Sequence, residues 1–286
     1  MGFCFFALLP FMLREPFRSQ HAATLRRQWM GLVGIGLFLA LNISLNNTSL
    51  VLISLSLNQI IRSSIPVITA ALAVFIESKV PSRAELGSLV VLTLGVMIAV
   101  FEGTVSGSVA GVMVCLSGTV CNAAMMTTSG RLMSEKLDVL RLTFYTAPVS
   151  CVALLPFYAW REAAKFAQYR LGRSGAISGI ILLGSMNALA YNVVHYLMIQ
   201  KTSAVSTTVL GEVKVIGLLV LSSMLLGESK VFTTRMTVGC VLAMAGFCGY
   251  SHCKLSKQQS SSPIIKGVPD IKSVVGYSRV PSRSAV

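Results

Sequence analysis

Two cations sit inside long apolar stretches, at nearly matching places in two related segments of the chain. Arg62 lies in SLVLISLSLNQIIRSSIPVITAALAVFIESKV, and Lys214 lies in TSAVSTTVLGEVKVIGLLVLSSMLLGESKV. Both segments close on the same four residues, Glu77-Ser78-Lys79-Val80 and Glu228-Ser229-Lys230-Val231. The offset between the copies, 151 residues, recurs from Gly95 to Gly246. A cation near the centre of a bilayer is expensive, so it normally faces a cavity and serves a solute path. A matched pair in duplicated halves points to a carrier that binds an anion at its midplane.

The neighbours of these cations fall into polar stripes. On 51–77, Asn58, Gln59 and Arg62 share a helix face by i, i+3 and i, i+4 spacing. Pro66 lies one turn beyond and removes the donor that the Arg62 carbonyl would otherwise receive. Such a carbonyl is useful beside a cavity and costly against lipid. On 204–226, Thr207, Gly211 and Lys214 form a second stripe, with Gly211 leaving room for a ligand. On 175–199, Asn187, Tyr191 and His195 recur every four residues, and Gly184 continues that face. Three such stripes can line one cavity in which Arg offers a bidentate fork to phosphate and Lys a point charge.

Taken singly, each of these residues has a blander reading. One Asn or Ser in a span is more often helix–helix glue than a ligand, and His195 alone is more often a hydrogen-bond partner. Arg62 or Lys214 alone can pair with Glu212 or with carbonyls. The pairing of two cations in two repeats tips the balance toward function. Glu77, Glu102 and Glu228 fall at span edges and read as interfacial. Three glycosylation-type triplets start at Asn42, Asn46 and Asn47, but they lie in or beside a span and are discounted.

The elements that must position these residues follow from composition. Only 12% of residues are charged and mean hydropathy is +0.74, against roughly 25% charged in soluble domains, so the partner is a lipid bilayer. Apolar spans are expected near 30–47, 51–77, 86–102, 108–130, 139–160, 175–199, 204–226 and 235–251, with a shorter ninth stretch over 1–13. The seven cysteines show neither a CxxC pair nor framework spacing, and the three histidines are far apart. No metal, cofactor or enzyme site is expected. The net charge of +14 is carried mainly by loops and tail, which fits topology and anionic lipid rather than nucleic acid.

With 14–28 on the cytosolic side, the Lys and Arg of 78–85, 131–138, 200–203 and the tail fall there too and outnumber those opposite; the loop 161–174 dissents. The two Glu-Ser-Lys-Val copies then lie on opposite faces, which requires an odd number of helices per half and hence an inverted repeat. Five per half makes ten, so the first helix and part of the second are expected to be missing from this chain. The domains read as 1–104, an N-terminally incomplete helical repeat; 105–253, its inverted counterpart; and 254–286, a Ser- and Lys-rich cytosolic tail expected to be disordered.

Asn42 to Ser49 (NISLNNTS), SLNQIIRSSIP, Tyr191-Asn192, VLGEVKV and GFCGYSHCK together resemble the triose-phosphate translocator and nucleotide-sugar transporter family of the drug/metabolite transporter superfamily. The resemblance runs from about residue 30 to 255, with motifs in the family's order and spacing. It implies an all-α, polytopic membrane protein, a ten-helix antiporter of two inverted five-helix repeats. In plastid sugar-phosphate members the phosphate is held by a Lys on the fourth helix and a Lys-Arg pair on the ninth, beside a Tyr on the eighth. Arg62, Lys214 and Tyr191 fall on three of those positions. Val215 stands where the Arg of the pair would be, and Glu212 replaces a common Asn. A Lys followed by a small apolar residue is similar to the branch that holds Golgi nucleotide-sugar carriers.

The expected function is therefore antiport of a nucleotide sugar against a nucleoside monophosphate in a Golgi-type membrane. Arg62 and Lys214 would neutralise the diphosphate, while Tyr191, Asn187, Gln59, Asn58, Thr207 and His195 complete the site and Gly211 gives room. The alternatives are a sugar-phosphate or other organic-anion exchanger, with a plastid inner envelope or endoplasmic reticulum location, and a non-transporting truncated family member. The oligomeric state stays open, a homodimer among the options.

Overall fold

The computed structural model describes residues 2–14, 17–78, 80–101, 108–135, 137–170, 174–225 and 234–261. Glu102, the second Glu-Ser-Lys-Val copy and 262–286 lie outside the described residues. Among the described residues, eleven helices run in chain order: α1 (Gly2–Met12), α2 (Phe17–Leu52), α3 (Leu55–Arg62), α4 (Ile65–Ile76), α5 (Arg83–Val100), α6 (Val109–Ser134), α7 (Val139–Arg161), α8 (Ala163–Arg170), α9 (Ser174–Lys201), α10 (Ala204–Leu225) and α11 (Thr234–Ser261). Among the described residues, seven helical segments are long and apolar enough to cross a bilayer. The protein is all-helical and polytopic. Trp29 and Trp160 are exposed.

Side-chain caps define where several helices begin. Ser54 accepts a hydrogen bond from the Leu57 amide at 3.3 Å, Ser108 from Gly111 at 3.0 Å, and Asp138 from Leu140 at 3.2 Å. Ser82 and Glu85 form a reciprocal capping box at the start of α5. These groups satisfy amides that a membrane interior would leave without partners.

Three boundaries differ from the sequence-based expectation. The stretch 51–77 is not one helix: it breaks after Arg62, between α3 and α4. Pro66 sits in the first turn of α4, where its missing amide costs nothing. Ser63 and Ser64 turn their hydroxyls back to the carbonyls of Ile60 and Ile61 at 2.8 and 2.7 Å. The basic segment 17–28, expected as a loop, is the first third of α2, because it contains neither Gly nor Pro after Phe17 to stop the helix. At the other end α11 continues through Lys254 to Ser261, so the first eight residues of the expected disordered tail are helical. They extend a helix already nucleated in the bundle.

The apolar interior has two parts. One cluster gathers Met12, Leu32, Ile35, Met126, Leu142 and Tyr196 from α1, α2, α6, α7 and α9. The other gathers Ala70, Leu89, Leu92, Val209, Ala243 and Tyr250 from α4, α5, α10 and α11. Within the second, α5 and α11 pack backbone to backbone. A Cβ on Gly95 would collide with the backbone of Ala243, one on Gly246 with Leu92, and one on Gly239 with Ala99. Rising positions on α5 meet falling positions on α11, so the two helices are antiparallel. The contacts also exchange under the offset of the sequence repeat: Gly95 with Ala243 becomes Gly246 with Leu92. Small residues that let backbones approach are the usual means of joining helices in lipid, where burial alone drives little.

Gly95→Ala should therefore destabilise the protein by about 1–3 kcal/mol, as overpacking does. Gly87, on the same helix, has nothing within 4 Å of an added Cβ, so Gly87→Ala should stabilise by about 0.5–1 kcal/mol. Thermal unfolding in detergent reads both, and shifts of the same sign would contradict the close α5–α11 contact.

Candidate functional site

The break after Arg62 places this residue at the C-terminal end of α3, where a cation is favoured by the helix dipole. Its Nη1 donates to Asn42 Oδ1 at 3.3 Å and Asn46 Oδ1 at 3.0 Å. The two asparagines lie one turn apart on α2. Asn42 also donates to Asn122 Oδ1 of α6 at 3.5 Å. The guanidinium is thus steered by neutral carbonyl oxygens, which fix its direction without cancelling its charge.

Asn58 belongs to the support beneath this group. Its Nδ2 reaches Ser49 Oγ at 2.7 Å, Asn46 Oδ1 at 3.3 Å and Cys115 Sγ at 3.4 Å, and the residue is buried. One amide therefore ties α3 to α2 and α6 while sharing the Asn46 oxygen with Arg62. The expectation that Asn58 lines the site is corrected: it sits one turn behind Arg62, packed between helices.

Between the two apolar clusters opens a cavity of about 640 Å³. Arg62 and Gln59 of α3, Tyr191 and His195 of α9, and Thr207, Gly211 and Lys214 of α10 all line it. Seven of the nine residues expected from sequence thus meet on one wall system. Lys214 Nζ lies 5.6 Å from the centroid of the Tyr191 ring, within cation–π range. The Tyr191 and His195 rings stack at 5.7 Å with an interplanar angle of 15°, and His195 Nε2 is 3.0 Å from Met126 Sδ. Gly211 faces open space, with nothing within 4 Å of an added Cβ. Thr207 is buried, its hydroxyl donating to the Ser203 carbonyl at 2.9 Å and meeting Thr202 Oγ1 at 3.3 Å.

Asn187 is the second correction. It is exposed and absent from the cavity wall. The four-residue spacing does put it on the Tyr191 face, but no described residue covers that part of α9. Ile180, Leu183 and Met186 around it are exposed as well. Conversely, Asn42, Asn122, Asn192 and Glu212 line the cavity without having been anticipated as site residues. Asn42 and Asn46 carried a usable signal, the i, i+4 pairing of two amides inside an apolar helix, hidden by their match to glycosylation triplets.

A bundle of membrane-crossing helices around an internal cavity that carries two cations is the build of a membrane transporter. The chain belongs to the Triose-phosphate Transporter family, whose model matches residues 3–251. Members of this family are transporters rather than enzymes. Among similar proteins of Arabidopsis thaliana are two named "Probable sugar phosphate/phosphate translocator". One is 26% identical over 243 residues, covering 83% of this chain and 63% of the relative. The other is 30% identical over 234 residues, covering 80% and 75%. A third relative, "UDP-URONIC ACID TRANSPORTER 1", is 28% identical over 200 residues, covering 68% and 64%. The chain thus spans a little under two thirds of the first and third of these relatives.

Asn58→Ala should lower stability by about 1–3 kcal/mol, because it strands buried partners on two other helices. Asn187→Ala should shift it by no more than about 0.5 kcal/mol. Thermal unfolding separates the two; a harmless Asn58→Ala would remove the structural role assigned to that amide.

Proposed function

We propose that the protein is a secondary antiporter that moves a nucleotide sugar across a Golgi-type membrane in exchange for a nucleoside monophosphate. The observation that carries this reading is the convergence of Arg62 and Lys214, from separate helices, on one cavity. The diphosphate lies between the Arg62 fork and the Lys214 ammonium. Tyr191, with His195 stacked behind it, offers a flat face to the base or sugar. Gln59 and Thr207 supply polar contacts, and Gly211 leaves space. The volume falls within the roughly 300–1,000 Å³ that ligand sites commonly occupy, with room for more than a three-carbon phosphate.

Val215 also lines the cavity. The resemblance implies an Arg there in plastid sugar-phosphate members, so this wall lacks a guanidinium that such a substrate would use. The similarity to a UDP-uronic acid transporter is in keeping with a nucleotide sugar. The two relatives named for sugar phosphate and phosphate favour the second reading, a sugar-phosphate or organic-anion exchanger. Coupling follows from electrostatics in either case. A cavity holding a net positive charge reorients reluctantly in a low dielectric, and a bound anion changes that charge. The exchange symmetry of the α5–α11 contact supports two inverted halves, 1–104 and 105–253, that rock about the site.

The test is uptake of labelled nucleotide sugars, with triose phosphate alongside, into liposomes holding the protein and loaded with nucleoside monophosphates. One nucleotide sugar should enter, only when monophosphate is inside. A close cation–anion pair is worth about 4 kcal/mol at an effective dielectric near 20, so Lys214→Ala should cut uptake by at least about 100-fold. Arg62→Lys keeps the charge but loses the fork and should cost about tenfold. Normal uptake by Lys214→Ala would falsify the site; uptake of triose phosphate alone would replace the substrate class.

A further inference from the structure

Glu212 is a buried acid for which the reading above has no use. It lies on α10 two residues before Lys214, is 7% exposed, and lines the same cavity. Arg62 and Lys214 are both within its electrostatic reach. The charged and titratable groups that face the cavity with it are Arg62 from α3, Lys214 from its own helix, and Tyr191, His195 and Tyr196 from α9. The described cavity residues of α2, α5 and α6 are uncharged, among them Asn42, Val96 and Asn122.

The charge count has a consequence for binding. Two cations and one carboxylate leave the empty cavity with a single positive charge. A dianionic substrate, which a nucleoside diphosphate sugar is at neutral pH, turns this into a net negative charge. It also brings a second anion next to the carboxylate in a low dielectric. Like charges about 4 Å apart repel by about 4 kcal/mol at an effective dielectric near 20, enough to offset one of the two favourable cation contacts. One proton on the carboxylate removes the repulsion and brings the loaded cavity to zero.

We propose that the carrier takes up one proton on Glu212 with each dianionic organophosphate it binds, so that the complex crossing the membrane is neutral. This rests on the organophosphate reading of the cavity and deepens it. The proton comes from the aqueous side from which the anion enters, forms an O–H bond on a Glu212 carboxylate oxygen, and returns to water when the anion leaves. No other bond changes. Each leaving dianion is matched by one proton released to water on the same side, so exchange of two dianions moves neither net charge nor net protons. Because the protonated form binds the anion better, affinity rises as pH falls. The slope approaches about tenfold per pH unit for one linked proton.

The experiment is calorimetric titration of the purified full chain with UDP-glucose, in pairs of buffers that differ in ionisation enthalpy. The pH is stepped from about 5 to about 8. UDP-glucose is the probe because its phosphates lack the second ionisation near pH 6 that a monophosphate brings. The expected result is uptake approaching one proton per UDP-glucose at its maximum. Glu212→Gln should bind with no uptake and a flat pH profile, while Glu212→Asp should keep the uptake. Binding with no proton uptake in the unaltered protein overturns the proposal. So does uptake that persists in Glu212→Gln, which would put the proton on His195 instead. If Glu212→Gln does not fold, the proton count of the unaltered protein and of Glu212→Asp decides. If glucose 6-phosphate binds and UDP-glucose does not, the count is taken with it at about pH 8, where it is a dianion. Binding of neither removes the organophosphate reading and this proposal together, whereas binding without proton uptake removes this proposal alone.

Discussion

A guanidinium held in a membrane interior by neutral partners is the constraint on which the site depends. Placing a cation there costs at least about 2.5–3.5 kcal/mol, so Arg62 needs acceptors. It finds them in two amide carbonyls of α2 rather than in a carboxylate. Neutral acceptors orient the fork and leave its field pointing into the cavity. A carboxylate hydrogen-bonded in their place would have added a second negative charge beside Glu212 and cancelled the remaining positive charge of the cavity. The arrangement is held from behind by Asn58, whose amide shares the Asn46 oxygen and reaches Ser49 and Cys115. The helix break at Ser63 and Ser64 serves the same end, since an unbroken helix would carry Arg62 on without a free C-terminal end beside the cavity.

The two apolar clusters and the close α5–α11 contact set the frame in which that field operates. The cavity opens between the clusters rather than within either of them. The α5–α11 seam, by contrast, has backbones in contact through Gly95, Gly239 and Gly246. Packed interfaces of this kind move as units rather than deform. Motion that changes access to the cavity therefore has to occur around the seam, not through it. The exchange of its contacts under the repeat offset means that α5 and α11 present equivalent surfaces to each other.

Much of this was legible in the chain itself, for identifiable reasons. Composition and span length determine that the protein is a membrane-crossing helical bundle, because few other structures satisfy backbone groups in lipid. Cations are too costly in a span to be accidental, so Arg62 and Lys214 stood out, and helical spacing brought Tyr191, His195, Gln59, Thr207 and Gly211 with them. What helical spacing does not contain is which neighbour a face meets. Asn58 and Arg62 share a face of α3, yet one meets α2 and α6 in the interior and the other the cavity. Asn187 shares a face with Tyr191, yet it is exposed while Tyr191 lines the cavity. Asn42 and Asn46 matter only through a contact with another helix, and local sequence offered a competing explanation for them. The break after Arg62 was signalled by Pro66, but the two serine hydroxyls that complete the turn are intelligible only once the chain is folded.

The two cations are not equivalent, and the difference bears on how one cavity can both bind and release. Arg62 is fixed by two hydrogen bonds and by the support beneath them. Lys214 is exposed to the cavity and its ammonium rests over the Tyr191 ring at 5.6 Å. A cation–π contact of this kind is worth about 0.5–2 kcal/mol, less than the pairing with a phosphate. Tyr191 therefore holds the ammonium in the empty cavity without competing strongly for it. The flexible lysine stem can follow an anion as it arrives and return to the ring when it leaves, whereas the arginine fork has to be met where it is. A site built from two fixed guanidinium groups would hold its anion more tightly and let it go more slowly. On the antiport reading proposed above, pairing a fixed fork with a movable point charge would give orientation from the first and release from the second, which is what a carrier needs from a site it must load and empty on every cycle.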